Sequence, residues 1–465
     1  MQERTKRQSL SLVESPIPEA LRRMTTPMIV GMAMLFTFSL VDTLFISFLG
    51  TDSLTAISFT FPVTFMIMSL AIGLGIGTSA VVAKYMGRAD FPRAREASTV
   101  TNYLAVACAT VTVVICWLFL DLIFRTIGAS ESILLLIREY MVIWLPGSIL
   151  LVAIMNGNSI LRACGNTRTP SLIMAGSGLI NAVLDPVLIF GLGPVPAMGI
   201  RGAALATLVS WIVAFTYLAY LLLIRLDLIN RIVPSRKVLV SSGREMLRIG
   251  LPAAGANMMT PLAAGVMTAI AAGFGESTVA AFGVGSRIEP LATLVVLAMS
   301  STLPPLISQN FGADRLDRVA EAYRLATRFI IAWQLAIYLL LALFAGLIAR
   351  VFSDDTEVLA AIKLYIWILP LGYGMQGVII LTNSALNALH RPFAALYLSF
   401  ARFFVFYVPL AWIGAQTLGL PGFFLGALAG NLLMTMLSLR AFRRALDAEI
   451  SRAEREARNP QVEVV

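Results

Sequence analysis

From Pro27 to Leu49 the chain reads PMIVGMAMLFTFSLVDTLFISFL, 23 residues with one ionisable side chain, Asp42. At about 1.5 Å per residue, a helix of that length crosses the roughly 30 Å hydrocarbon core of a bilayer. Hydrocarbon offers no partner for backbone N–H and C=O groups, so such a segment folds as a helix. A carboxylate within it costs about 2.5–3.5 kcal/mol on insertion scales and persists where it faces a protein interior or a wet cavity. Asp42 is therefore a candidate ion or proton site, and the rest of the chain decides what surrounds it.

Apolar segments of this kind recur. The chain is 58% hydrophobic and 13% charged, against about 25% charged for a soluble domain. Twelve spans are predicted, at 27–49, 58–84, 99–124, 132–161, 170–191, 200–225, 248–274, 280–308, 325–351, 358–388, 393–416 and 422–442. Short links such as GNTRTP, GLGPVPAMG and FSDDTE join them. The net charge of +9 would suit nucleic acid, but the basic residues sit in the even-numbered loops and both tails, as in Lys84–Arg95 and Arg225–Arg248. That bias places both termini in the cytoplasm and requires an even number of spans. The polar, basic start of the chain lacks the short apolar core and cleavage site of a secretory signal. The expected organisation is a tail at 1–26, a six-helix lobe at 27–225, a linker at 226–247, a second lobe at 248–444 and a tail at 445–465.

A shift of 225 residues overlays the sequence on itself. Pro27 meets Pro252, Gly50 in FLGTDSLTA meets Gly275 in GFGESTVAA, and Gly87 in KYMGRADFPRAREA meets Gly312 in QNFGADRLDRVAEA. Tyr140 meets Tyr365, and Arg162 meets Asn387. Six spans per half keep the orientation, so the halves are parallel repeats about an axis along the membrane normal. The expected fold is all-α: twelve transmembrane helices in two six-helix lobes around a central cavity, the architecture of a transporter.

Depth groups the polar residues. Asp42 lies 15 residues into the first span and Asp185 15 residues into the fifth, both about 22 Å from the cytoplasmic end. Asn181 is one turn from Asp185 on the same face, and Pro186 removes the N–H that would bond the carbonyl of Ala182. Tyr140 in the fourth span and Thr207 in the sixth reach a similar depth. Two carboxylates in one dry cluster repel, so the pair holds a proton or a cation such as Na⁺; Asp42, Asn181 and Asp185 form the candidate Na⁺ site. Helix-bridging polar contacts are the bland alternative. The second half has Met267 where the first has Asp42. Its span charges are chiefly Arg287, Glu289 and Arg402; Glu289 is expected to pair with Arg402 across helices, or else with polar groups near the cavity, the ion pair being favoured, which leaves this half to serve mainly as the moving wall.

Weaker signals carry less. Gly73, Gly75 and Gly77 look like a phosphate loop but lie inside an apolar helix, where they serve close packing. Cys108, Cys116 and Cys164 show no disulfide or metal spacing, and the single histidine, His390, lies in a loop. With one His and one exposed acidic turn at Asp354–Asp355, a membrane transferase has no nucleophile set or paired metal-binding motif, so no enzymatic activity and no cofactor are expected.

The segments TPMIVGMAMLFTFSLVDTLFISFLG, GIGTSAVVAKYMGR, ILRACGNTRTPSLIM, NAVLDPVLIFG and GVGSRIEP resemble those of the MATE (multidrug and toxic compound extrusion) antiporters, over nearly the whole chain from Pro27 to Arg444. Asp42 with Asn181 and Asp185 resembles the cation-coupling cluster of the DinF-like branch; Tyr140 and Thr207 match it less closely. The NorM-like branch has a glutamate in the seventh span where Thr260 stands here, so a second-half Na⁺ site of that kind is not expected. The resemblance implies efflux of amphipathic, often cationic drugs or toxins by a monomer in the bacterial inner membrane, driven by inward H⁺ or Na⁺, with a hinge at Pro27. A flippase for lipid-linked precursors is the nearest alternative; few membrane cations weigh against it.

Overall fold

The computed structural model describes residues 12–230 and 234–458. The basic residues Arg4, Lys6, Arg7 and Arg231 and the end of the C-terminal tail lie outside them. The described residues are almost entirely helical, without a strand. The first half holds α1 (Ile17–Ser47), α2 (Thr51–Gly87), α3 (Phe91–Leu118), α4 (Leu120–Ile127), α5 (Glu131–Ala163), α6 (Arg168–Phe190) and α7 (Gly199–Tyr220), which ends in a π-helical turn at Leu221–Arg225. The second half holds α8 (Arg236–Ala272), α9 (Glu276–Ala292), α10 (Leu294–Gly312), α11 (Leu316–Leu343), α12 (Ala345–Phe352), α13 (Thr356–Ile368), α14 (Tyr373–Ala388), α15 (Pro392–Phe400), a π-helical stretch Ala401–Tyr407 and α16 (Val408–Arg458).

Ten of the described helices are long and apolar enough to cross a bilayer. The bent pair α9 and α10, 46° apart, makes an eleventh span. The last apolar helix, Pro392–Arg455, has 64 residues, about three bilayer thicknesses. It turns back on itself at Gly419, whose φ of 66° is open to glycine. Gly414 then lies on Gly422, Gly426 on Leu410, and Gly430 on Phe406 and Tyr407, so the stretch is a tight antiparallel hairpin. Twelve spans result, as the sequence predicts.

The repeat is legible residue by residue. α3 and α11 are both 28 residues long and begin 225 residues apart. α4 and α12 are both 8 residues long at the same offset. Gly50 and Gly275 share φ 101°, and Ala89 and Asp314 share φ 56°.

Two helices are longer than the apolar pattern predicts. α1 begins at Ile17, ahead of Pro27, and α8 at Arg236, inside the stretch read as a linker. The polar start of α1 is anchored by buried Ala20 and Met24, whereas in α8 burial begins only at Ser242, followed by Met246 and Ile249. The two compact units divide these helices. One unit is built on Thr26–Ala254; the other holds Ser15–Thr25 and the chain from Gly255 onward.

In the first unit α2 crosses the start of α8 through glycines. A Cβ at Gly73 would strike backbone atoms of Gly250 and Ala254, and one at Gly77 would come within 2.5 Å of the Met246 carbonyl oxygen. The second unit makes the equivalent crossing with hydroxyls: Thr25 Oγ1 lies 3.0 Å from Thr302 Oγ1, and each is offset by 225 from Gly250 or Gly77. Gly73→Val is therefore expected to cost about 1–3 kcal/mol through overpacking. Gly176→Ala, where a Cβ meets nothing within 4 Å, is expected to cost nothing. Survival of the monodisperse species after graded heating in detergent measures both.

Candidate functional site

The first unit brings α1 and α6 side by side. A Cβ at Gly31 would touch Ser171, and one at Gly178 would run into the Phe38 ring. Ser171 Oγ donates to Met28 Sδ at 3.4 Å, and Phe45 meets Phe190 edge to face at 6.3 Å. Gly31/Ser171 and Phe38/Gly178 share one spacing, so the helices run parallel and in step. Asp42 is one turn beyond Phe38, and Asp185 two turns beyond Gly178. This register brings the two carboxyl groups within hydrogen-bond reach of each other.

Asp185 is 0% exposed. Asn181 Nδ2 donates to Asp185 Oδ1 at 3.3 Å and to Thr207 Oγ1 at 3.4 Å, which ties α6 to α7. Tyr140 is buried beside both carboxyl groups. The edge-to-face pair Trp144–Trp211, at 5.7 Å, holds α5 against α7 one turn away. All five residues predicted for the first-half cluster therefore meet. Asp42 Oδ1 and Asp185 Oδ2 are buried and accept no hydrogen bond.

Two ionised carboxylates cannot share a hydrogen bond, since neither has a donor. The arrangement is complete with a proton between the oxygens, or with a cation that the carboxylates and the Asn181 and Thr207 oxygens could hold. Among the described residues no group of three His, Cys, Asp or Glu side chains is placed to hold a metal ion. A cation here would thus depend on neutral oxygens as well as the two acids.

The second unit is built otherwise. Glu289 on α9 accepts from Gln376 Nε2 on α14 at 2.7 Å. Among the described residues no ion pair joins it to Arg402, so a neutral polar donor takes the place of the favoured ion pair. Arg402 is 9% exposed; its guanidinium lies 4.7 Å from the centre of the Phe403 ring, and its Nε has no acceptor. Arg287, two residues before Glu289 on α9, is exposed. Three tyrosines complete the cluster: Tyr365 and Tyr373, whose hydroxyls are 3.5 Å apart, and Tyr407. The charge of Glu289 reaches all three and Arg402. Sequence reasoning missed Gln376, Tyr373 and Tyr407. Neutral side chains carry a smaller insertion penalty than a charge does; the one signal was a polar residue in two apolar stretches, Tyr373 and Gln376 in one and Tyr407 in the other.

Twelve spans in two repeats, with an acidic pair buried in one, define a polytopic membrane transporter rather than an enzyme. The MatE family model matches residues 27–187 and 252–413, once in each half at nearly the repeat offset. The chain belongs to the MATE family of transporters. It is 40% identical over 427 residues to a protein of Shewanella oneidensis named FAD transporter, covering 91% of this chain and 94% of that one. A probable multidrug resistance protein NorM of Thermotoga maritima is 23% identical, covering 87% and 88%. A crystal structure of a mutant of the Vibrio cholerae MATE transporter VcmN aligns with TM-score 0.89 at 31% identity, covering 95% of this chain and 98% of that one.

Glu289→Ala leaves Gln376 Nε2 without its acceptor and removes the negative charge near Arg402. It is expected to cost about 1.5–3 kcal/mol, the range for a hydrogen bond to a charged group. Glu289→Gln keeps an acceptor and should fall between wild type and Glu289→Ala. Thermal unfolding in detergent gives the order.

Proposed function

We propose that the chain is a cation-coupled exporter of small organic molecules in the bacterial inner membrane, with both termini in the cytoplasm, and that Asp42 and Asp185 form its coupling site. One observation carries this reading: two carboxyl groups within hydrogen-bond reach inside apolar helices, each with a buried oxygen that accepts nothing. A proton or Na⁺ entering from outside neutralises the pair, and its loss to the inside restores the repulsion. The cation thus has different affinity for the two states, as coupling requires. Pro27 lies next to Thr26, where α1 passes from one unit to the other, which supports a hinge there.

For the cargo we favour flavin adenine dinucleotide. The relative named FAD transporter shares 40% identity over nearly its whole length, whereas the relatives named for multidrug resistance or export share 22–23%. Efflux of amphipathic, often cationic drugs is the second reading. The acceptor-rich first-unit cluster, which would attract an organic cation as readily as Na⁺, supports it.

Purified protein in liposomes, under an imposed pH or Na⁺ gradient, separates these readings when offered flavin adenine dinucleotide and a fluorescent organic cation. The wild type is expected to move the dinucleotide against its gradient. Asp42→Asn is expected to lose gradient-driven export by about tenfold or more, the effect of about 1.4 kcal/mol of lost coupling, while remaining folded. Wild-type rates from Asp42→Asn would falsify the coupling role.

A further inference from the structure

We propose that the cluster around Arg402 in the second unit is a recognition subsite for an anionic, phosphate-type group on the transported molecule. The inference deepens the flavin dinucleotide reading and rests on it for the identity of the cargo.

Arg402 is nine-tenths buried within a membrane span. A guanidinium is kept there only against strong compensation, and the compensation present is incomplete. Nε has no acceptor, and among the described residues no carboxylate pairs with Arg402. Glu289, whose charge reaches it, has Oε1 engaged by Gln376 at 2.7 Å. Contact with the Phe403 ring lies on one face of the guanidinium and leaves the Nε–H in its plane to be satisfied.

The inventory of donors and acceptors gives the sign of the missing partner. A guanidinium brings five N–H donors and no acceptor, while each tyrosine hydroxyl and the Gln376 amide both donate and accept. Beside these stands one carboxylate, Glu289. The first-unit cluster has the opposite balance: two carboxyl groups, an amide and two hydroxyls, with two buried oxygens that accept nothing. The first cluster leaves two buried acceptor oxygens open, and the second leaves the Arg402 Nε–H open. The planar fork of arginine matches the oxygens of a phosphate two at a time.

The backbone adds an independent sign. Arg402 and Tyr407 lie on the π-helical stretch Ala401–Tyr407. Such wide turns are rare and recur at functional sites. Tyr365 is fixed edge-on against Phe282 and Phe424, at 6.1 and 5.6 Å, so its hydroxyl is held in place beside Tyr373.

The test uses the full chain in liposomes and in detergent. Flux is compared for flavin adenine dinucleotide, for riboflavin, which has the same ring system without phosphate, and for a fluorescent organic cation. Arg402→Gln is expected to lower dinucleotide flux about tenfold relative to riboflavin and the cation, the scale of one lost charge-assisted contact. Arg402→Lys should recover part of it. Equal losses for all three compounds, or no loss, would mean a structural role and overturn the proposal. Titration of the detergent-solubilised protein with ADP, read by tryptophan fluorescence, supplies the second arm. Binding that disappears in Arg402→Gln and returns in Arg402→Lys supports the subsite even if the wild type does not move the dinucleotide, in which case the cargo reading alone falls. If ADP binds identically to wild type and Arg402→Gln, or binds to neither, the subsite is wrong. Tyr373→Phe, which keeps the ring and removes one hydroxyl donor, repeats both measurements should Arg402→Gln fail to fold.

Discussion

The parallel packing of α1 on α6 governs the chemistry of the first unit. Gly31 accepts Ser171, Gly178 accepts the Phe38 ring, and the two carboxyl groups then arrive at one level. A slip of one residue would rotate Asp42 by about 100° and face it toward another neighbour or toward lipid. The expensive charges are thus held in place by two glycines, which have no chemistry of their own. The close approach that glycine permits sets the distance between α1 and α6, and with it how near the two acids stand.

The two units share a backbone plan to the residue and divide its chemistry. α3 and α11 agree in length and offset, yet Asp42 in the first half corresponds to Met267 in the second. Even the crossing of α2 over α8, glycine on backbone, returns as one hydroxyl against another at Thr25 and Thr302. What recurs is the geometry of approach. What differs is which polar group fills the space, an acidic pair in one unit and an arginine with tyrosines in the other.

Much of this was legible in the sequence, and the limits have physical causes. The spans follow from the cost of unsatisfied backbone in hydrocarbon, which forces long apolar runs, and their number from the alternation of basic loops. Asp42 and Asp185 were visible because a charge in a span is costly; Asn181, Tyr140 and Thr207 followed from helical depth. The stretch from Arg236 to Leu247 reads as a linker because it is rich in Arg, Lys and Ser, yet it is helical: from Ser242 on one face, with Met246, is buried although the other is polar. The Glu289–Arg402 ion pair was favoured on opposite charge alone, and Gln376, a neutral donor, took the carboxylate instead. Register devices such as Phe38 on Gly178 leave no mark in composition, because any apolar span offers several such pairs.

The division of α1 and α8 between units bears on how such a chain arose. The sequence repeats at Pro27 and Pro252, but the compact units change over at Thr25–Thr26 and Ala254–Gly255, so each half lends its opening turns to the other. Two copies trading first turns would have satisfied each other, a swapped dimer of the kind that fusion of two genes makes permanent. In one chain the two halves need not carry the same side chains, and here they share the exchanged ends but not the polar groups. Acid could then be kept on one side and base on the other without disturbing the frame that holds them.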